Sequence, residues 1–460
     1  MTACDRPGRV PAAGASPALD DGRPRVYLHI GEPKTGTSFL QRSLWGNRAR
    51  LAAQGVTLPG YSHRDHNRAS RDLREAPREA SDPTDPWAGE WDVLTGQALR
   101  APSVAVISDE ILAACNPPQA DRAVRSLLPA DVHIILTVRD FASVLPAEWQ
   151  ERVKCRSTVP WEEWLDSVVD AAPAADRRRR SWFWAVHDTL ATLDMWSQHI
   201  PRDHVHVITL PPPTSTDVLW VRFASVLGID PGCIDLAGAR ANPSLGSAEA
   251  EFLRSVNQAL PADVPDWFYT RDIKRILAHD LLNSRPRQAV LTVPPGRAAW
   301  AREQSEILIV GLRDAKYDIV GDLAELIPQG LAGSYAGPAD QPAEQLLDAA
   351  VHATAALLHE LYLAKSHPRE RDPGEGRPGS ARPGGLRPGG LRLSGLRLSA
   401  LRLSALRPGA LRQTLSRWEW TVLNGPTAKR LLRGASHRPG VRRLRVIIWR
   451  VLMRPARQPR

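Results

Sequence analysis

RVYLHIGEPKTGTSFLQRSLWGNRARL, residues 25–51, begins with a short apolar, β-prone run over residues 26–30 that Gly31 and Pro33 stop. A run of that length between turn residues reads as a buried strand of a parallel sheet. From Thr37 onward Phe39, Leu40, Leu44 and Leu51 recur at helical spacing, so the strand passes into an amphipathic helix. Between the two stands Gly31-Glu32-Pro33-Lys34-Thr35-Gly36-Thr37-Ser38. A turn of small residues at that place aims backbone N–H groups and the positive helix end at one point, which suits a phosphate. Lys34 adds a full charge to the cradle, and the hydroxyls of Thr35, Thr37 and Ser38 add donors.

The loop departs from the nucleoside-triphosphatase pattern G-x-x-x-x-G-K-[ST], in which Lys directly follows the second Gly. Gly31 and Gly36 have the matching separation, but residue 37 is Thr and the Lys comes two places before Gly36. The order P-K-T-G-T-[ST] resembles instead the phosphosulfate-binding loop of the sulfotransferases that use 3′-phosphoadenosine-5′-phosphosulfate (PAPS). The bland alternative is a Gly-rich strand-to-helix turn with no ligand.

At 460 residues the chain is long enough for one large α/β domain with extensions, or for two domains. Its 43% hydrophobic and 24% charged content are ordinary for a globular protein. Cys4, Cys115, Cys155 and Cys233 show neither metal nor disulfide spacing, which favours a reducing, cytoplasmic setting. No run of about eighteen apolar residues is present, so no spanning helix is expected. Residues 1–24 lack the charged-then-apolar order of a signal peptide and read as a disordered leader.

The net charge of +10 is unevenly spread. Residues 367–460 carry 22 Lys plus Arg against 4 Asp plus Glu, a net +18, and residues 1–366 carry 38 against 46, a net −8. The basicity lies in the tail, so no specific nucleic-acid partner is expected of the folded part.

Along the chain, residues 55–60 read as a second short strand closed by Pro59-Gly60, followed by a charged loop holding His63 and His66. Residues 104–107 form the next strand and end on Ser108-Asp109-Glu110, two carboxylates where the crevice of an open parallel sheet lies. This also resembles the Mg²⁺-binding strand of a triphosphatase, which makes a Mg-dependent kinase or NTPase the main rival; the displaced Lys argues against it. In a sulfotransferase Glu110 is the candidate general base for an acceptor hydroxyl, while Asp109 is better placed to cap the helix that begins near Ile111.

Residues 121–128 read as helical, and residues 132–138, VHIILTV, are the most convincing strand, closed by Arg139-Asp140. In the sulfotransferases an Arg at such a strand end, with a Ser eight residues on, grips the 3′-phosphate of the cofactor, and a planar guanidinium fork suits that task. Arg139 matches, but eight residues on stands Ala147; Ser143, one helical turn earlier on the same face, is the available substitute. The run PAEWQERVKCRSTVPWEEWL, with Trp149, Gln150, Glu151, Lys154 and Arg156, is similar to a helix of bacterial sulfotransferase-like proteins. These share H-I-G-x-P-K-T-G-T, a strand ending in S-x-E, then R-D and W-Q-E-x-x-K. The resemblance covers roughly residues 25–330 and implies a three-layer αβα P-loop fold with a central parallel sheet, and PAPS as co-substrate.

Further on, the four arginines of residues 177–180 read as a solvated loop. Residues 187–198 read as a helix, 205–210 as a strand and 217–227 as a helix with Trp220, Phe223 and Leu227 on one face. Asn242 and Ser244 resemble an N-x-S segment found late in this family and are weak site candidates. Helical patterns then dominate residues 248–322, with Trp300, Ile307, Ile309 and Leu312 expected against the sheet. The fifteen tryptophans are expected mainly in the core.

Residues 331–366 read as a helical extension, with one apolar helix over 349–365. From residue 379 Leu-Arg units repeat about every five residues, a period that fits neither helix nor strand, so 367–416 reads as a flexible linker. Residues 417–460 form a basic tail, whose stretch VRRLRVIIWRVLMR is suited to weak peripheral contact with an anionic membrane.

The sequence thus points to a PAPS-dependent sulfotransferase acting on a hydroxyl of a small-molecule or carbohydrate acceptor. Lys34 and Glu110 are its candidate catalytic residues; Lys34, Thr35, Gly36, Thr37, Ser38, Arg139 and Ser143 would bind the cofactor. The scheme requires no metal. The alternatives are the Mg-dependent kinase or NTPase and a nucleotide-binding protein that has lost turnover.

Overall fold

The computed structural model describes residues 22–76, 87–171, 181–211, 216–239, 244–285, 289–329 and 335–366. The leader, the run of arginines at 177–180, Asn242, the linker and the basic tail with its membrane-contact stretch lie outside the described residues.

Among the described residues six strands form one sheet: β1 (Arg25–His29), β2 (Val56–Thr57), β3 (Val104–Ser108), β4 (Asp131–Val138), β5 (Val205–Thr209) and β6 (Asp318–Val320), in the order β2-β3-β1-β4-β5-β6. Every pairing is parallel. The strands are near-continuous runs of Val, Ile and Leu because both faces are covered. Alternate residues divide accordingly. Val26, Leu28, Ile107, Ile134 and Leu136 enter one core, and Tyr27, Val106, Ile135 and Ile208 enter the other.

The second of these cores is closed by α1 (Thr37–Gly46), α2 (Arg48–Ala53) and α10 (Thr216–Leu227) through Phe39, Leu40, Leu44, Leu51, Trp220 and Phe223. Against the first face lie α3 (His63–Leu73), α4 (Glu90–Ala98), α5 (Pro117–Arg125), α6 (Phe141–Lys154), α7 (Trp161–Asp170), α8 (Trp182–His187), α9 (Thr189–Trp196), α11 (Ser247–Ala259) and the helix Pro295–Ala315. The result is the expected α/β architecture of three layers. Trp91, Trp149, Trp161, Trp196 and Trp220 are fully buried, so these rings serve packing.

Several local readings are corrected. The stretch around His63 and His66 is helix α3, opened by a capping box between Ser62 and Asp65. His66 is fully buried there, bridging the Pro59 carbonyl and the Ser108 N–H, and is not a solvated loop histidine. Helix α5 starts at Pro117, because Asn116 and Gln119 form a capping box ahead of it. Residues 187–198 do not form one helix, since Asp188 caps a new start at α9. Within the run read as helical to residue 322, Asp318–Val320 forms edge strand β6, whose three residues give too short a pattern to show in the sequence. On the helix Pro295–Ala315, Leu312 and Ile309 are buried as expected, but Ile307 points to solvent. The terminal helix runs from Ala343 to Ser366. No helix among the described residues is long and apolar enough to cross a membrane.

Candidate functional site

The chain leaves β1 toward β2 on one side, whereas β4, hydrogen-bonded to β1, is followed by β5 on the other. Between two such strands an open parallel sheet leaves a crevice at their C-terminal ends. The loop 31–38 follows β1, Asp109-Glu110 follows β3 and Arg139-Asp140 follows β4, so one sheet edge carries all three.

The loop is anchored to β4 by its backbone. Glu32 N–H donates to the Thr137 carbonyl and Thr137 N–H to the Gly31 carbonyl, at 3.0 and 2.6 Å. The Thr35 hydroxyl donates to the Glu32 carbonyl and lies 2.5 Å from the Thr137 hydroxyl. Its proton is committed within the protein, which leaves the backbone N–H as what Thr35 offers a ligand. Lys34 takes φ 63° and Gly36 φ 91°, both left-handed. A Cβ on Gly36 would run into the end of the Leu219 side chain, which would have to shift, and the left-handed backbone strains any residue but glycine. Gly36 precedes α1 and supplies no capping side chain; Thr37 is buried and Ser38 half-buried in the first turn. The first-turn N–H groups of a helix have no intrahelical acceptor and carry its positive end.

The buried carboxylate of Glu32 braces the loop from behind. It accepts the Thr189 hydroxyl at 2.5 Å and lies 3.2 Å from His187 Nδ1, while Glu148 Oε2 lies 3.8 Å from His187 Nε2. Burial lowers the pKa of His187, but the two carboxylates outweigh it and push it up to about 9. The imidazolium is therefore a fixed positive centre between two acids at neutral pH.

Lys34 points to α6. Its Nζ donates to Glu151 Oε2 at 2.6 Å, and Lys274, on the π-helical stretch Tyr269–Leu281, donates to Glu151 Oε1 at 2.7 Å. Burial would raise the Glu151 pKa, yet the two ammoniums hold its carboxyl well below the usual carboxylate range. Lys154 is buried on the same helix, and burial pushes its amine down to about 8, with Lys34 and Lys274 adding repulsion against the pull of Glu151. Burial, aided by Lys154, lowers His279 to about 4. Three amines thus share one carboxylate, an excess of positive charge beside the loop.

Glu110 is half-buried and accepts from the Gln41 side chain at 2.7 Å, which ties it to α1. Its backbone abuts Gly31, where a Cβ would lie 3.2 Å from the Glu110 carbonyl oxygen. Asp109 is buried and caps the short helix Glu110–Ala114 by accepting from Ile111 N–H, and it also accepts from Asn67. Burial and the neighbouring Glu110 charge push its pKa up to about 7.

Arg139 is half-buried; its Nε has no hydrogen-bond partner among the described residues, and Asp140 Oδ2 lies 4.0 Å away. Burial lowers its pKa, though a guanidinium stays charged at any physiological pH. Asp140 caps α6 through Ser143 N–H, so Ser143 sits in the first turn, with Ala147 one turn on, and both are half-buried. Gln150 forms a two-way pair with the Leu245 backbone, donating to its carbonyl and accepting its N–H. This clamps the segment that follows Asn242 onto α6, and Ser244 within it is exposed.

The structure therefore brings the loop, Glu110 and the Arg139 strand end to one edge. Lys274, Gln41 and the Glu32–His187–Glu148 group are not legible in the sequence: Glu32 holds the variable position of the loop motif, and each partner pair is far apart in the chain.

No family model matches this chain, and no curated protein matches it. Among solved structures it is similar to a sulfotransferase from Alicyclobacillus acidocaldarius, with 17% identity over 46% of this chain and 84% of that one, at a TM-score of 0.30.

Proposed function

We propose that this protein transfers a sulfuryl group from PAPS to a hydroxyl of an acceptor. The observation that carries the reading is the loop after β1. A lysine held in left-handed backbone, a left-handed glycine and a helix end without a side-chain cap follow β1, at the sheet edge that also carries the Arg139 strand end. The 5′-phosphosulfate would lie on the N–H groups of residues 35–38 and on Lys34, and the 3′-phosphate on Arg139 with Ser143.

In this scheme the acceptor oxygen attacks sulfur while the bond from sulfur to the bridging oxygen breaks, and 3′-phosphoadenosine-5′-phosphate leaves. Lys34 neutralises the charge that grows on the bridging oxygen, and the loop N–H groups stabilise the sulfuryl oxygens. Glu110 takes the proton of the acceptor hydroxyl. The excess of ammonium groups around Glu151 suits the phosphosulfate and keeps the site attractive to anions.

A Mg-dependent kinase or NTPase is less well served, because the Asp109 carboxylate is occupied by Ile111 N–H and Asn67. A binding protein without turnover is favoured by one feature, Ala147 in place of the phosphate-binding Ser. Incubating the protein with ³⁵S-labelled PAPS and a panel of hydroxyl acceptors tests the reading. Label transfer that Lys34→Ala abolishes supports it; binding without transfer across carbohydrate, phenol and lipid hydroxyls supports the binding protein.

A further inference from the structure

At the opposite edge of the sheet, where the strands begin, Asp131 and His133 stand two residues apart on β4, and His204 and His206 two apart at the start of β5. Side chains two apart on a strand share a face. The arrangement brings Asp131, His133 and His204 together with one ligand atom each within 4.8 Å of the others.

Short polar contacts join these side chains to one another and to Asp318. His206 Nδ1 lies 2.6 Å from Asp318 Oδ2 and donates to it. His133 Nδ1 lies 2.9 Å from His206 Nε2. His133 Nε2 lies 3.1 Å from Asp131 Oδ2. The other oxygen, Oδ1, lies 3.2 Å from His204 Nδ1. Arg25 Nε donates to Asp131 Oδ2 at 2.9 Å and offsets part of the carboxylate charge.

We propose that Asp131, His133 and His204 form a binding site for a borderline divalent transition metal, of which Zn²⁺ is the reference case. Ligand atoms about 3.1 to 3.5 Å apart are what metal–donor bonds near 2.0 to 2.1 Å in a tetrahedron require, and two imidazoles with a carboxylate are a usual donor set for zinc. The relay from Asp318 through His206 to His133 is the outer support that metal-bound histidines use to fix their tautomer. The His133 and His204 rings stack at 4.0 Å and 9°, so their lone pairs lie in parallel planes. Closure on one ion requires His204, the more exposed ring, to turn about its side-chain torsions. The site lies at the strand starts, away from the loop after β1, and its role is to tie the approach to β5 onto β4.

The test uses the full chain, stripped with a chelator and titrated with ZnCl₂ by calorimetry, with CoCl₂ as an optical probe. One Zn²⁺ per chain, a raised melting temperature, and an intense visible Co²⁺ band of low coordination number are expected. His204→Ala, at a partly exposed position, and Asp131→Asn should each weaken Zn²⁺ binding at least about tenfold, on the scale of losing a supporting contact alone. A cooperative thermal transition of metal-free His204→Ala shows that the variant is folded. Zn²⁺ affinity and Co²⁺ spectra identical in wild type and His204→Ala, or no stoichiometric binding by the wild type, would overturn the proposal.

Discussion

Lys34 Nζ donates to Glu151 Oε2 at 2.6 Å, joining the loop after β1 to the last turn of α6 across 117 positions of sequence. Glu151 is the counter-ion that Lys34 and Lys274 share, so removing its charge leaves Lys34, Lys274 and the buried Lys154 facing one another. Glu151→Gln should lower unfolding free energy by about 2 kcal/mol, between the surface and buried limits for an ion pair, as read by urea denaturation. The same variant should bind 3′-phosphoadenosine-5′-phosphate more tightly, because the anion then has no carboxylate to displace. The native pKa of Glu151 is depressed, so its stabilisation is present above about pH 4.3, the unfolded value, and is lost as pH falls toward the native one.

Gly36→Ala tests the loop's shape. The new Cβ would collide with Leu219 at a residue whose φ is 91°. A loss of roughly 2 kcal/mol is expected from strain and overpacking together, with loss of nucleotide binding even where the variant remains folded. Thermal denaturation and calorimetry read the two effects separately; a variant as stable as wild type would show that the turn is not tightly packed.

Two buried groups should shape the pH dependence in separate windows. The Asp109 carboxyl is pushed up to about 7, so the folded state loses stability as pH rises from about 4 to 7 and this group ionises. His187, raised to about 9, contributes stabilisation that is full below about 6.5 and lost as pH rises toward 9, on the order of 3 kcal/mol. Asp109→Asn keeps the helix cap and should flatten the lower window; His187→Gln should flatten the upper one. Urea titrations at half-unit pH steps check both, and an unchanged slope in either variant contradicts the corresponding assignment.

Ala147→Ser restores a hydroxyl one turn beyond Ser143 on α6. If Arg139 holds a 3′-phosphate, this variant should bind 3′-phosphoadenosine-5′-phosphate roughly 3- to 10-fold more tightly, below the limit for one hydrogen bond to a charged group. Arg139→Ala should weaken the same binding about 30-fold or more, as loss of a charge-assisted contact does. Adenosine-5′-phosphosulfate, which lacks the 3′-phosphate, should be insensitive to both changes. Equal effects on the two ligands would place Arg139 elsewhere in the site.

The sheet was legible because its strands are apolar runs stopped by Gly, Pro or charged pairs, and the loop because its Gly-Lys-Gly order is local. The caps that set helix boundaries were also local, but Asn116 and Asp188 were masked by the apolar periodicity on either side. His66 read as a loop residue because its polar neighbours outvoted its own burial. Lys274 could not be found by any local pattern, since it reaches Glu151 from 123 positions away on a stretch of its own. The same holds for His187, whose partners Glu32 and Glu148 come from a loop and a helix that only the fold brings together. Charge groups assembled across the sheet leave no periodic trace in the chain.

The central claim is that the loop after β1 cradles an activated sulfate donor and not a triphosphate. Calorimetry of the full chain against 3′-phosphoadenosine-5′-phosphate and against Mg-ATP tests it most directly. Saturable one-to-one binding of the bisphosphate, lost in Lys34→Ala and with no heat from Mg-ATP, is the predicted result; Mg-ATP binding with no response to the bisphosphate would contradict the account.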